Sequence, residues 1–323
     1  MLTLKPPTLT TGDTIGIVAP SLPLFSSWQS GYEQGKALLR SWGFELHEGN
    51  TIQLQHWWSA GTPREQAEDI HAMFIAPSIR AIVTLAGGFS ALPVLDKLDY
   101  ALIRQHPKPF IGMSDITLYH WAMLSQSGLL GFHGNTLLEG FADFYTNAPT
   151  EHQLQLKETY LHLLTDPTPL GTLPQLAERT CLRPGIAQGK LIGGNLKRFV
   201  TLTGTKYDLP KSMFDGAILF WEEIGETLYD ISMNLYKLAH LGVFDQIAGM
   251  IIGKLTWVNQ YFDEIDHPAP YEAILYILND YSFPILAADD FGHQMSMLPL
   301  VMGLDTRIDS VQGTIELIEA ATI

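Results

Sequence analysis

Two short apolar runs with a capped amphipathic segment between them restrict the folds that this chain can adopt. Residues 14–19 and 80–85 are nearly continuous in apolar side chains, which is typical of parallel strands buried on both faces. Between them, Thr62, Pro63 and Glu65 combine an N-cap, a first-position proline and a capping-box glutamate, and an apolar helical stripe follows. The alternation of strands and helices predicts a parallel α/β sheet.

The pattern changes near the middle of the chain. An amphipathic helix is predicted near residues 151–164, and the stretch 166–171 after it is rich in helix breakers. Residues 190–195 and 248–253 then have the pattern of strands that end near glycine, and the tail 314–319 partly alternates like a half-exposed strand. We therefore predict an N-terminal parallel-sheet domain, a linker region and a smaller C-terminal α/β domain, over residues 1–143, 144–189 and 190–323.

Composition and charge indicate which binding partners and which cellular compartment to expect. A length of 323 residues with 46% hydrophobic content is ample for buried cores, and the formal charge of -15 argues against nucleic acid or an anionic membrane as partner. Cys181 is the only cysteine, so an internal disulfide is impossible and the cytoplasm is the expected location. The first residues lack a signal-peptide pattern, and no apolar run approaches the ~18 residues of a membrane-spanning helix. We expect neither export nor membrane insertion.

Ser114 lies where a short apolar run ends and a helical pattern begins, within residues 109–117. Such a turn exposes the hydroxyl at the carboxyl edge of a sheet, beside the N–H groups of a helix start. The pattern is only part of the nucleophile-elbow motif, because Ile116 occupies the place of its second glycine. We predict that Ser114 is a nucleophile.

Glu222 and His293 are suitable partners for this serine. Glu222 follows the buried-looking run 216–221, and His293 lies in a glycine-containing loop segment. A serine nucleophile needs a base, and a carboxylate fixes the tautomer of a histidine base, so the three residue types predict a serine hydrolase. Each also has a simpler interpretation: Ser114 as a helix N-cap, Glu222 as a solvated strand end and His293 as a loop histidine bonded to backbone.

The paired glycines Gly87 and Gly88 follow a predicted strand and let the backbone turn sharply or approach a ligand closely. We predict an N–H donor here for an oxyanion, alongside the N–H of Asp115, with a plain tight turn as the alternative. The spacing does not match a dinucleotide fingerprint.

Four further residues are candidates for the walls of a cleft. His133 follows another probable strand and lines the cleft or bonds to backbone. His56, Trp57 and Trp58 form a substrate wall, unless the tryptophan pair packs in the core. No spacing of histidine, cysteine or acidic residues suggests a metal site. We predict neither a metal nor a cofactor.

Taken in order, these segments resemble the LD-carboxypeptidase family of serine peptidases, which includes the microcin-immunity peptidases. The resemblance covers most of the chain and rests on residues 12–21, 87–89, 107–117, 132–134, 193–196, 220–223 and 292–293.

The resemblance implies a catalytic triad of Ser114, His293 and Glu222, with the N–H groups of Gly88 and Asp115 as the oxyanion hole. It also implies a Rossmann-like N-terminal domain that carries the serine, a C-terminal domain that carries the other two residues, and a homodimer. We place Gly87, Asn195 and His133 among the substrate-binding residues.

Departures from the family pattern affect the substrate. Ala86 and Ser232 stand where relatives often have arginine, and Asn135 stands where proline is common. The expected reaction is hydrolysis of the amide bond between an L- and a D-residue of a cell-wall muropeptide, as in peptidoglycan recycling. The alternatives are a detoxifying peptidase acting on a peptidyl-nucleotide antibiotic, which would confer resistance, and a catalytically silent ligand-binding protein.

Overall fold

The computed structural model describes residues 3–142, 149–258, 267–293 and 297–323. One of its two sheets has six strands, in the spatial order β12 (Leu300–Met302), β5 (Gly131–His133), β4 (Phe110–Gly112), β3 (Ile79–Thr84), β1 (Thr14–Val18) and β2 (Glu45–Glu48). All neighbours pair in parallel except β12, which is antiparallel to β5. The predicted parallel α/β sheet is therefore confirmed.

The helices of this half follow its strands in the expected alternation. They are α1 (Gln29–Ser41), α2 (Pro63–Ile75), α3 (Tyr100–Gln105) and α4 (Thr117–Ser127). The capping box predicted for α2 is present: the Glu65 N–H donates to Thr62 Oγ1 at 3.3 Å, and the Thr62 N–H donates to Glu65 Oε2 at 2.7 Å.

The second sheet has eight strands and a parallel centre. Its spatial order is β6 (Gly171–Thr172), β14 (Thr314–Leu317), β13 (Asp305–Asp309), β8 (Ile186–Asn195), β9 (Ile218–Ile224), β10 (Gly249–Thr256), β11 (Ile285–Ala288) and β7 (Arg179–Arg183). Strands β8 to β11 pair in parallel, and antiparallel pairs flank them on both sides. The helices of this part are α5 (Thr150–Thr165), α6 (Leu196–Leu202), α7 (Leu228–His240) and α8 (Pro270–Ile277).

The two sheets do not follow each other simply along the chain. Strands β6 and β7 arise from the predicted linker region and belong to the eight-stranded sheet, whereas β12 lies late in the chain and joins the six-stranded sheet. Helix α5, predicted near residues 151–164, is confirmed. The domain boundaries at 143 and 190 stay a prediction.

Helix α4 connects the two sheets. The buried indole of Trp121 donates to the carbonyl of Gly193 in β8 at 2.8 Å, and the Asn195 N–H donates to Thr117 Oγ1 at 3.0 Å. Gly194 has a φ of +132°, and a Cβ there would lie 2.7 Å from Thr117 Oγ1, so a side chain would separate α4 from β8. This close packing brings the start of α4 to the ends of β8 and β9. None of the helices in the described part of the chain is long and apolar enough to span a bilayer.

Candidate active site

Ser114 occupies a sharp turn between β4 and α4. Its φ is +61°, a left-handed conformation that is uncommon outside glycine and that is found at nucleophile elbows. The helical turn begins after Met113 and Ser114 caps nothing, so the N-cap interpretation is wrong. A Cβ on Gly87 would lie 2.7 Å from Ser114 Cβ and 2.9 Å from its Oγ, which explains the glycine at this position.

His293 and Glu222 form a hydrogen-bonded pair. The Nδ1 atom of His293 lies 2.6 Å from Oε2 of Glu222, which is fully buried near the end of β9. The simpler interpretations of both residues are therefore wrong. Glu222 is not a solvated strand end, and the ring of His293 bonds to a carboxylate rather than to backbone. Thr256 Oγ1 donates to the His293 carbonyl at 2.9 Å and holds the loop in place.

The two groups adjust each other's proton affinity. Burial alone would lower the pKa of His293, but the charge of Glu222 and their hydrogen bond raise it above its usual value of 6.5. Burial alone would raise the pKa of Glu222, but the charge and hydrogen bond of His293 lower it below 4.5. Glu222 therefore stays ionised beside an imidazole that binds a proton readily.

Ser114 and His293 line one open cleft of about 400 Å³, together with Gly88, Asn195 and Trp257. Glu222 reaches this cleft through His293. The structure thus brings the three predicted catalytic residues together. Ser114 and His293 line the cleft, and Glu222 is buried behind His293.

The Gly87–Gly88 turn is fixed from several directions. The Gly87 carbonyl accepts from the Leu22 N–H at 3.2 Å, and the Gly88 carbonyl accepts from Arg198 Nη2 at 3.0 Å. The Asp115 nitrogen lies 3.4 Å from where a Cβ on Gly87 would be. The glycine pair and the Asp115 N–H are therefore neighbours, as an oxyanion hole requires.

Comparison with known proteins agrees with this arrangement. A sequence model of the LD-carboxypeptidase N-terminal domain matches residues 15–134, and one of the C-terminal domain matches residues 188–308. The chain belongs to the LD-carboxypeptidase family.

Among relatives, a probable murein peptide carboxypeptidase of Bacillus subtilis is 32% identical over 253 residues, covering 78% of this chain and 75% of the relative. The microcin C7 self-immunity protein MccF of Escherichia coli is 27% identical over 336 residues, covering 96% of this chain and 94% of MccF. A solved structure of MccF in complex with aspartyl sulfamoyl adenosine has a TM-score of 0.88 and 25% identity, covering 99% of this chain and 100% of that one.

The carboxylate of Asp115 makes contacts that the sequence did not reveal. Its Oδ2 accepts from the N–H groups of Ser90 and Ala91, both at 2.9 Å, and from Ser21 Oγ at 2.7 Å. The carboxylate thereby fixes the loop that follows Gly88. No sequence signal connects residues this far apart along the chain.

Asn195 occupies the edge of the cleft as the N-cap of α6. Its side chain accepts from the Arg198 N–H at 3.3 Å, and its Nδ2 donates to Glu223 Oε1 at 2.8 Å. Burial and the neighbouring charge of Glu222 raise the pKa of Glu223 to about 7. The pKa of a second carboxylate in the lining of the cleft is thus shifted toward neutrality.

His133 lies behind the cleft. It is 1% exposed, and its ring packs 5.3 Å from that of Phe220 and 6.5 Å from that of His120. Burial lowers its pKa to about 4, so the ring is neutral. Within the described residues neither ring nitrogen has a hydrogen-bond partner. A substrate-binding role for His133 stays a prediction.

The sequence left open whether Trp57 and Trp58 pack in the core, and it gave no pattern for a metal site. The two tryptophans are 73% and 58% exposed, so they do not pack in the core. In the described ranges no group of three or more histidine, cysteine or acidic side chains is arranged to hold a metal ion.

Proposed function

We propose that the chain is a serine carboxypeptidase that hydrolyses the amide bond between an L- and a D-residue of cell-wall peptides, with Ser114, His293 and Glu222 as its catalytic triad. One observation carries the proposal: Ser114, on a left-handed turn, shares a cleft with His293, whose Nδ1 is held 2.6 Å from the buried carboxylate of Glu222.

The reaction then follows the general course of triad hydrolases. Nε2 of His293 takes the proton as Ser114 Oγ attacks the carbonyl carbon, and the N–H groups of Gly88 and Asp115 stabilise the oxyanion. His293 returns the proton to the leaving amine as the amide bond breaks. Water, deprotonated in turn by His293, hydrolyses the acyl-enzyme and frees Ser114. Glu222 orients the imidazole and stabilises its charged form throughout.

Relatives whose names specify murein peptides support the cell-wall substrate. The test is release of D-alanine from a muramoyl tetrapeptide by the purified protein. We expect release by the wild type and none by the Ser114→Ala variant. A wild type that releases no amino acid from any L,D-peptide would overturn the proposal.

A peptidyl-nucleotide antibiotic is the second candidate substrate. It is favoured by the likeness to MccF in complex with aspartyl sulfamoyl adenosine and by the lack of a cationic side chain at Ala86. We expect weak binding of free tetrapeptide, so its Michaelis constant should exceed that of a peptidyl-nucleotide analogue. Tight, preferred binding of tetrapeptide would reject this candidate.

The remaining alternative is a silent ligand-binding protein, which an active-site serine probe tests directly. Covalent labelling of Ser114 in the wild type, absent from the Ser114→Ala variant, excludes it. Failure to label Ser114 would favour it.

We also propose a cytoplasmic homodimer that serves peptidoglycan recycling. Support for the dimer comes from exposed apolar side chains on α7 and α8, where Met233 is 53%, Tyr236 41% and Tyr276 78% exposed. Light scattering of the wild type should give twice the mass of the 35.9 kDa chain, and the Met233→Glu variant should shift toward one chain. A wild type of single-chain mass would reject the dimer.

A further inference from the structure

His133 and Glu222 each have buried polar atoms without a hydrogen-bond partner. Within the described residues this is true of both ring nitrogens of His133 and of Oε1 of Glu222, and both side chains are almost completely inaccessible to solvent. Buried polar groups are nearly always hydrogen-bonded, and an ionised carboxylate is the most costly group to leave without a donor. The unpaired atoms of these two residues therefore require an explanation.

The packing of the two sheets brings the two side chains to the same region. The ring of His133 packs 5.3 Å from that of Phe220, which lies two residues before Glu222 in β9. Residues i and i+2 of a strand point to the same face of a sheet, so Glu222 is the next side chain along the face that His133 contacts. His133 also pairs with Gly112 of β4, two residues before Ser114. It thus lies between the strand that leads to the nucleophile and the strand that carries the carboxylate.

Electrostatic interactions agree with this placement. Burial lowers the pKa of His133 to about 4, and the charges of Glu222 and His293 act on it in opposite directions. His133 is therefore close enough to the ion pair to be affected by both of its members. At neutral pH its ring is uncharged, with one nitrogen as an N–H donor and the other as an acceptor.

The other polar neighbours of Glu222 bond elsewhere. Burial would raise the pKa of Glu222, and both His293 and Asn195 oppose this effect. The hydrogen bond of His293 goes to Oε2 at 2.6 Å, however, and the Nδ2 of Asn195 donates to Glu223 at 2.8 Å. Among the described residues, Oε1 is left without a donor and His133 is left with an unused N–H.

We propose that His133 is a positioning residue for the catalytic carboxylate: its neutral ring donates to one buried water, and that water donates to Oε1 of Glu222. No direct hydrogen bond joins these two side chains in the described structure, and one water with polar partners on both sides satisfies them. The bridge fixes the carboxylate with Oε2 toward His293.

This inference rests on the proposed function and gives His133 a different role from the substrate-binding one that the sequence suggested. His133 is buried and is not among the described residues that line the cleft, so it acts on the reaction through Glu222 rather than by touching the substrate.

His133→Leu removes the donor and separates the two roles. Because a hydrogen bond to a charged group is lost, we expect kcat for muramoyl tetrapeptide to fall about tenfold to hundredfold. KM, and Kd measured by calorimetry in the Ser114→Ala background, should stay within about twofold, whereas loss of a substrate contact would raise both. His133→Gln restores an N–H donor and should recover part of kcat. His133→Phe, which keeps a flat ring beside Phe220, serves if the leucine variant does not fold.

A double variant tests whether the effect passes through the carboxylate. In the Glu222→Gln background His133→Leu should change kcat by less than about twofold, because the carboxylate that it positions is already gone. His120→Leu is the matched control. His120 is equally buried, its ring centre lies 6.5 Å from that of His133, and its Nε2 bonds to the Phe110 carbonyl at 2.9 Å. Its loss should lower the unfolding temperature and leave kcat unchanged.

Covalent labelling of Ser114 by an active-site serine probe gives the same comparison without a peptide. The rate of labelling depends on the base that activates the serine. It should therefore fall in His133→Leu by about the same factor as kcat, and this loss should vanish in the Glu222→Gln background.

The outcomes separate the two proposals. Raised KM and Kd with unchanged kcat in His133→Leu, or an equal loss of kcat with and without Glu222→Gln, overturns the positioning role and leaves the proposed function standing. A wild type that is labelled but hydrolyses no L,D-peptide overturns the proposed function, and a labelling rate that depends on His133 only when Glu222 is present then supports the positioning role. A wild type that is neither labelled nor active overturns both.

Discussion

The N–H of Asn195, at the end of β8, donates a 3.0 Å hydrogen bond to the hydroxyl of Thr117, at the first residue of α4. Asn195 is also the neighbour of Glu222 in the register of β8 and β9. One contact thus ties the helix that follows Ser114 to the strand pair that carries the buried carboxylate. Together with the bond from Trp121 to Gly193, it holds the start of α4, and with it Ser114, beside the strand that carries Glu222.

Thr117→Val should therefore weaken both the fold and the reaction. Valine keeps the shape but leaves the buried Asn195 N–H without its acceptor, which costs about 1–3 kcal/mol of unfolding free energy. Urea denaturation and kcat measured on the same preparation check this. Thr117→Ser keeps the hydroxyl and should stay near the wild type in both; a similar loss in the serine variant would mean that the hydroxyl is not the cause.

Ser114→Ala should lower kcat for an L,D-peptide by about 10³-fold to 10⁶-fold, because triad members act as a unit. Circular dichroism and thermal unfolding should show a native fold. Ser125→Ala, further along α4, removes a hydroxyl that bonds to the Ala122 carbonyl and should leave kcat unchanged. Near-normal turnover in a folded Ser114→Ala variant would reject the mechanism.

Gly87→Ala should disable the site with little effect on the fold. The new methyl group would lie 2.7 Å from Ser114 Cβ, so the nucleophile must shift, and a displacement near 1 Å costs about 10²-fold in rate. Steady-state kinetics measure the loss of rate, and thermal unfolding measures any loss of fold stability. If kcat stayed within twofold, the assigned contact between Gly87 and Ser114 would be wrong.

The pH dependence of kcat/KM should report the deprotonation of His293. The imidazole acts as a base only when neutral, so activity should rise with pH, with a midpoint above 6.5 because Glu222 raises its pKa. By the same shifts, the ion pair stabilises the fold fully between pH 4.5 and pH 6.5. This stabilisation is lost as pH rises through the raised pKa of His293 and as pH falls through the lowered pKa of Glu222.

Glu222→Gln provides the matched variant for this profile. It should lower kcat and move the midpoint of the pH profile below that of the wild type. Burial lowers the pKa of His293, and in this variant the negative charge of Glu222 no longer opposes that effect. A midpoint that does not move would show that another group controls the profile.

Much of the scaffold could be predicted from the sequence because its signals are local. The apolar strands around residues 14–19 and 80–85 and the capping box of α2 depend on neighbours within a few residues, and all three are confirmed. The side chains that shape the cleft depend on distant neighbours. Asp115 bonds to Ser90 and Arg198 to Gly88 across 25 and 110 positions, so their roles follow only from how the sheets pack.

Strand β12 has a consequence for synthesis on the ribosome. It pairs antiparallel with β5, so the sheet that carries Ser114 obtains its last strand only when residues 300–302 have emerged. Until then β5 is an edge with unpaired backbone groups, open to pairing with other chains. His293 is translated shortly before β12, so the nascent chain acquires the proposed base and completes this sheet at almost the same time. A chain truncated before residue 293 would therefore carry Ser114 on an incomplete sheet and would lack the proposed base.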